Sequence, residues 1–289
     1  MKNAQDIVKL LTLEEKASLC SGLDVWHTEP VERLGLEPIM MCDGPHGLRK
    51  QPERDKTVPA VCFPPAVTTA SSWDRHLAAE IGAAIGDTCL AEGVSIILGP
   101  GANIKRSPLC GRNFEYFSED PYAAGEMAGN YIKGVQSKGV GTSLKHFCLN
   151  NQETRRNTED AIVDERAMRE IYLTGFEKAV KIGRPWTLMC SYNLINGAYG
   201  SENHKTLTEI LREEWGFKGL VMSDWGAVND RPLGVKAGLD LEMPGPSPAN
   251  DKRIVKAVQE GKLSIEALDK VVTRVVELIL KSMHNKKHH

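Results

Sequence analysis

An aspartate ends an apolar run in Gly219-Leu220-Val221-Met222-Ser223-Asp224-Trp225-Gly226. If that run is a buried strand, the Asp224 carboxylate stands at the strand's C-terminal end beside an indole. A carboxylate so placed can attack an anomeric carbon and form a glycosyl ester, while an aromatic face stacks on the apolar side of a sugar ring. The plain alternative is a loop aspartate that caps a helix.

Other residues fit the same chemistry. Lys145-His146 ends a second apolar run and Arg156 follows one loop later, donors able to hold sugar hydroxyls or balance a carboxylate; a buried ion-pair network is the alternative. Asp43, in Cys42-Asp43-Gly44-Pro45-His46-Gly47, can accept two adjacent hydroxyl protons where glycine lets backbone approach a ligand, although Asp-Gly-Pro is also turn chemistry. Arg112 lies in Gly111-Arg112-Asn113-Phe114-Glu115-Tyr116-Phe117, a loop unusually rich in aromatics and charge. In Met189-Cys190-Ser191-Tyr192-Asn193, Tyr192 is placed to bond the nucleophile and Met189 to line a sugar site, with core packing as the alternative for the pair.

These side chains need elements that bring them together. Apolar runs at residues 39–42, 94–98, 142–144, 187–190, 220–222 and 239–241 read as buried parallel strands. Helical patterns lie between them: Asp74 caps one reaching residue 91, Asp120-Pro121 opens one to 138, Asp164 opens one to 181, and residues 205–215 form a fourth. Thr12-Leu13-Glu14-Glu15 reads as a capping box, and Ser264 caps a last amphipathic helix reaching residue 281. Strand and helix alternate, which specifies a parallel sheet covered by helices. Asp43, Lys145, Tyr192, Asp224 and Glu242 each follow a strand, and in a closed (β/α)8 TIM-type barrel those positions meet at one mouth. We therefore expect an α/β chain forming such a barrel, with an irregular first strand or two, as a single domain over residues 1–284. Residues 243–248 read as a loop at the mouth, and 285–289 as a polar tail.

Composition removes several classes. With 36 basic and 38 acidic residues and a net charge of -2, no basic stripe is present for nucleic acid. No stretch approaches a membrane span and the first residues lack a signal-peptide pattern, so a soluble cytoplasmic protein is expected. Seven scattered cysteines read as reduced thiols, with no metal or redox spacing. No Gly-x-Gly-x-x-Gly or Gly-Lys-Ser/Thr loop supports a nucleotide, so no cofactor and no metal is expected.

Taken in order, the 111–121 segment, Lys145-His146-Phe147, Asn150-Asn151-Gln152-Glu153, Ser191-Tyr192-Asn193, Ser201-Glu202-Asn203, Glu214-Trp215-Gly216-Phe217, residues 219–226 and residues 237–245 resemble the barrel domain of glycoside hydrolase family 3, in its β-glucosidase branch. The resemblance implies a retaining β-glucosidase that releases terminal glucose through a glycosyl-enzyme on Asp224. It implies a glycone subsite of Asp43, Arg112, Lys145, His146, Arg156, Met189, Tyr192 and Trp225, and, through Asp43, glucose rather than xylose. It also implies an acid/base Glu from a second α/β sandwich domain, which is absent here. That domain would have to act in cis or in trans, or the barrel would self-associate through the apolar face it leaves open. Lys145-His146-Phe147-Cys148-Leu149-Asn150 lacks the His–Asp acid/base loop of the family's N-acetylhexosaminidase branch. Glu119, Glu153 and Glu202 are in-chain substitutes to weigh. Two other classes compete: a non-catalytic sugar-binding barrel, and a metal-dependent hydrolase for which His146 alone supplies too few ligands.

Overall fold

The computed structural model describes residues 3–53 and 56–286. Five strands, β1 (Met41–Cys42), β2 (Ile96–Ile97), β3 (Gly141–Phe147), β5 (Thr187–Cys190) and β8 (Leu220–Met222), form one parallel sheet in the order β1-β2-β3-β5-β8. Three short strands, β4 (Asp160–Ala161), β6 (Leu194–Ile195) and β7 (Ala198–Tyr199), make a separate sheet. Within the main sheet every strand is buried along its length, as the uninterrupted apolar runs require of a sheet covered on both faces.

The sheet curls, and single bridges extend its edges: Leu241 lies parallel to Met222, Ser21 parallel to Glu242, and His27 antiparallel to Met40. The expected strand at 239–241 is thus reduced to bridges. Asp240 is the cause: its buried carboxylate accepts from Val221 N–H at 2.7 Å, and that amide is then lost to a regular ladder. Of the barrel expected from the sequence, the structure presents a curled parallel sheet of five regular strands.

The helices begin where their caps specify. Asp74 accepts from His76 and Leu77 N–H ahead of Arg75–Ala91, Asp120 accepts from Tyr122 N–H ahead of Pro121–Gln136, and Thr12 and Glu15 form the reciprocal capping box. The helix expected from Asp164 is composite. A short turn (Glu165–Ala167) leads into a π-helical stretch (Met168–Leu173) and then Thr174–Gly183, and residues Lys205–Glu214 are likewise π-helical. Two further features depart from expectation. Part of the 243–248 loop leads directly into a helix, Pro248–Gln259, and the last helix runs Ile265–Lys286, so Asn285 and Lys286 continue it instead of starting a tail. Residues 287–289 of that expected tail lie outside the described residues. Among the described residues all seven cysteines are free, no cluster of His, Cys, Asp and Glu could hold a metal ion, and no helix is long and apolar enough to cross a membrane.

Candidate active site

Because the main sheet is parallel, its strands' C-terminal ends share one edge, and the polar residues that end or follow them converge there. Asp43 follows β1, Lys145 and His146 lie in the last turn of β3 where the register with β5 shifts, Tyr192 follows β5, and Asp224 follows β8.

Lys145 is buried and its Nζ donates to Asp43 Oδ1 at 3.2 Å. Burial pushes the Asp43 carboxyl up, but Lys145, the Gly44 N–H and Arg49 outweigh it and hold the group below the usual carboxylate range. The turn that presents Asp43 requires glycine: Gly44 has φ +118°, and a Cβ there would meet Gly47 O at 2.1 Å.

His146 is 1% exposed and sits between Arg112, whose Nη2 donates to Nε2 at 2.7 Å, and Tyr116, whose hydroxyl lies 3.0 Å from Nδ1. A guanidinium only donates, so Nε2 is unprotonated and Nδ1–H donates to Tyr116. Burial, then the charges of Arg112, Lys145 and Arg156, push the imidazole well below its ordinary range and keep it neutral. The 3.7 Å approach of Nε2 to Asp224 is therefore not an ion pair. Arg112 is anchored in turn by Glu115, a buried carboxylate 2.5 Å from Nε.

Asp224 is 8% exposed. Its Oδ1 accepts from Trp225 N–H at 2.8 Å, while Oδ2 is buried with no hydrogen-bond partner among the described residues. Burial raises the carboxyl above its ordinary range despite the lowering charges of Lys145 and Arg112 and the Trp225 N–H; the Tyr192 hydroxyl is nearby. That hydroxyl donates to Trp225 O at 2.8 Å, and the Arg156 guanidinium lies 4.2 Å from the Tyr192 ring centroid.

Two supports escaped the sequence reading. Trp26 packs against Trp225 with ring centroids 5.7 Å apart, and the Trp225 indole N–H donates to Val25 O at 2.9 Å. His46 accepts from Ala66 N–H at 3.0 Å through Nε2, tying the Asp43 turn to the next helix. Neither had a signal in the sequence beyond, for His46, proximity to Asp43.

Other expected residues lie apart from this group or are engaged within the fold. Met189 is 2% exposed, in the apolar cluster with Met222 against which Trp225 packs. Glu242 follows the segment bridged to β8 at the same edge, where its carboxylate accepts from Ser247 and Asn250, with Arg231 3.6 Å away. Of the substitute acids, Glu153 accepts from Arg156 and Asn150, Glu202 accepts from the Asp230 N–H, and Glu119 is exposed ahead of the Pro121–Gln136 helix. A cavity of about 700 Å³ lies beside Trp186 and Leu220 at the strands' opposite ends and holds none of the expected site residues. Among these partnered carboxylates and cations, the unpartnered Asp224 oxygen is free to accept from a ligand or to attack an electrophilic carbon.

The family model described as glycosyl hydrolase family 3 N terminal domain matches residues 14–278. The chain is 62% identical over 287 residues to the thermostable beta-glucosidase B of Acetivibrio thermocellus, covering 97% of this chain and 38% of that protein. It is 54% identical over 282 residues to the exo-alpha-(1->6)-L-arabinopyranosidase of Bifidobacterium breve, covering 95% of this chain and 37% of that one. The solved structure of beta-glucosidase 3B from Thermotoga neapolitana in complex with glucose superposes with a TM-score of 0.94 at 44% identity, covering 99% of this chain and 44% of that one. The chain thus spans about two fifths of the length of these relatives.

Proposed function

The chain belongs to glycosyl hydrolase family 3, and from that membership we propose that it is the catalytic barrel of a retaining β-glucosidase in which Asp224 is the nucleophile. The observation that carries this reading is the Asp224 carboxylate itself: one oxygen fixed by Trp225 N–H, the other buried and unpartnered among Lys145, Arg112 and Tyr192. A carboxylate oxygen already buried without a hydrogen-bond partner has little desolvation left to undergo before it attacks an anomeric carbon. Asp43 accepts from the sugar's hydroxyls, while Lys145, Arg112 and Arg156 donate to them and balance the Asp224 charge. His146, neutral, keeps Arg112 oriented and offers its ring edge. Tyr192 and Trp225 frame the nucleophile, Trp225 also stacks on the sugar, and Met189 supplies apolar floor.

The same reading closes the sheet. The bridges from Met222 to Leu241, Ser21 to Glu242, Gly22 to Thr28 and His27 to Met40 support a ring returning to β1, the (β/α)8 barrel over residues 1–284 with an irregular start. Retaining hydrolysis needs a second carboxyl about 5–5.5 Å from the nucleophile. With Glu153 and Glu202 both engaged elsewhere, we assign that group to a further domain of the kind that the greater length of the relatives accommodates, acting in cis or in trans.

The test is intact mass after incubation with a 2-deoxy-2-fluoro-β-glucoside bearing a good aryl leaving group, which needs little acid assistance. One glycosyl mass added to the chain and none to Asp224→Ala is expected; no adduct in either refutes Asp224 as a nucleophile competent in this chain. An α-L-arabinopyranoside run in parallel decides the glycone, since one relative is named for that sugar.

A further inference from the structure

Trp73 and Tyr122 are large aromatics with 79% and 60% of their surface exposed, and both line one groove of about 490 Å³. Between them the groove carries Asp74, Arg75, His76 and Glu126. The placement of Trp73 is unusual twice over. Tryptophan is ordinarily among the more buried residues, and here it also occupies the left-handed backbone region at φ 56°, where a bulky side chain is strained. Strain kept at an exposed indole, with no core packing in return, is what a binding platform looks like.

Charge says what the groove takes. Glu126 is matched by Lys178 at 3.0 Å and Arg75 at 3.9 Å, and Asp74 is committed to the N–H groups of His76 and Leu77. No uncompensated charge draws an ion, whereas rings with polar side chains between them suit pyranose faces and hydroxyls. Lys178 lies over the Tyr122 ring at 3.7 Å, and most of the residue's surface stays exposed.

The segment leading into the groove is tied to the candidate active site. Its Trp73 follows the short helix Ala66–Ser71, whose Ala66 N–H donates to His46 in the Asp43 turn and whose Val67 N–H donates to Phe114 O in the Arg112 loop. We propose that Trp73 and Tyr122 form an accessory platform that holds a neutral β-linked gluco-oligosaccharide beside the mouth. The choice of sugar rests on the β-glucosidase reading; the existence of the platform does not.

Calorimetric titration with cellohexaose tests it, in a chain carrying Asp43→Ala to silence the mouth. That chain is expected to bind, and adding Trp73→Gly to weaken binding roughly tenfold, the size of one lost aromatic stack. Because glycine adopts a left-handed φ freely, Trp73→Gly should not lower the melting temperature; Tyr122→Ala gives an independent second variant. No binding by the Asp43→Ala chain, an unchanged Kd on adding Trp73→Gly, or loss of binding accompanied by dissociation of an oligomer in sedimentation would each overturn the platform. Fluoroglucoside labelling of Asp224 in the Trp73→Gly single variant should match wild type. If neither chain labels, the nucleophile assignment fails and the groove result still stands by itself.

Discussion

Replacing Arg112 by Met removes two bonds from the interior at once. The guanidinium is 17% exposed and Glu115 is 8% exposed, and their contact at 2.5 Å is matched by the donation to His146 Nε2 at 2.7 Å. Met fills most of the volume, so the loss is electrostatic: a buried carboxylate and a buried ring nitrogen are left without a donor. Hydrogen bonds to charged groups are worth about 1.5–3 kcal/mol each, and removing one partner of a buried pair costs about 3–5 kcal/mol. We expect Arg112→Met to lose about 3–5 kcal/mol in urea unfolding, a midpoint shift of about 1–2 M for a slope near 3 kcal/mol/M. The cause is separable. Adding Glu115→Gln removes the stranded charge, so the double variant should recover about 1–3 kcal/mol over Arg112→Met. The Asp224 carboxyl should also move further up, having lost a lowering cation. A loss under about 1 kcal/mol, or a double variant as unstable as the two single losses summed, would refute the pairing argument.

Further expectations concern the same edge of the sheet. Asp224 has a raised folded pKa, so the folded state binds its proton more tightly than the unfolded chain, and stability falls as pH rises from the ordinary carboxylate value of 3.8 through the raised one. Asp224→Asn should therefore stabilise the chain at neutral pH, with the gain fading below that window; a gain independent of pH in thermal melts would contradict it. A Cβ at Gly245 would lie 1.7 Å from Gly22 O, backbone against backbone, so Gly245→Ala should cost about 1–3 kcal/mol or more and shift tryptophan emission as the segment carrying Trp26 moves off Trp225. Leu109, Ile162, Val61 and Phe114 are exposed at 91%, 78%, 64% and 55%. If they are the face a further domain covers, the chain self-associates with rising concentration, and Leu109→Ser with Ile162→Ser shifts it toward monomer in sedimentation.

Local chemistry was legible from the sequence. Asp74, Asp120, Thr12 and Ser264 open helices because a side-chain acceptor for the first free N–H groups is a property of a few consecutive residues. The runs at 187–190 and 220–222 became strands with the expected bounds, since a continuously apolar run of that length has little alternative to a sheet buried on both faces. The convergence of Asp43, Lys145, His146, Tyr192 and Asp224 followed from a single rule, that residues ending parallel strands share an edge.

What only the tertiary structure decided lies in contacts between segments remote in sequence. Asp240 turns from strand residue into a cap on Val221 because Arg212 and Arg274, each at 2.7 Å, make burial of its charge tolerable. The Glu242 carboxylate is taken up by Ser247 and Asn250 because the helix Pro248–Gln259 begins at the end of the expected loop. The proton positions on His146 are set by Arg112 from one side and Tyr116 from the other, and the raised Asp224 carboxyl by the burial around it. Residue type and strand position name the groups that can act; their charge state depends on which neighbours the fold brings within a few ångströms and how much water it removes, and neither is written in any one stretch of chain.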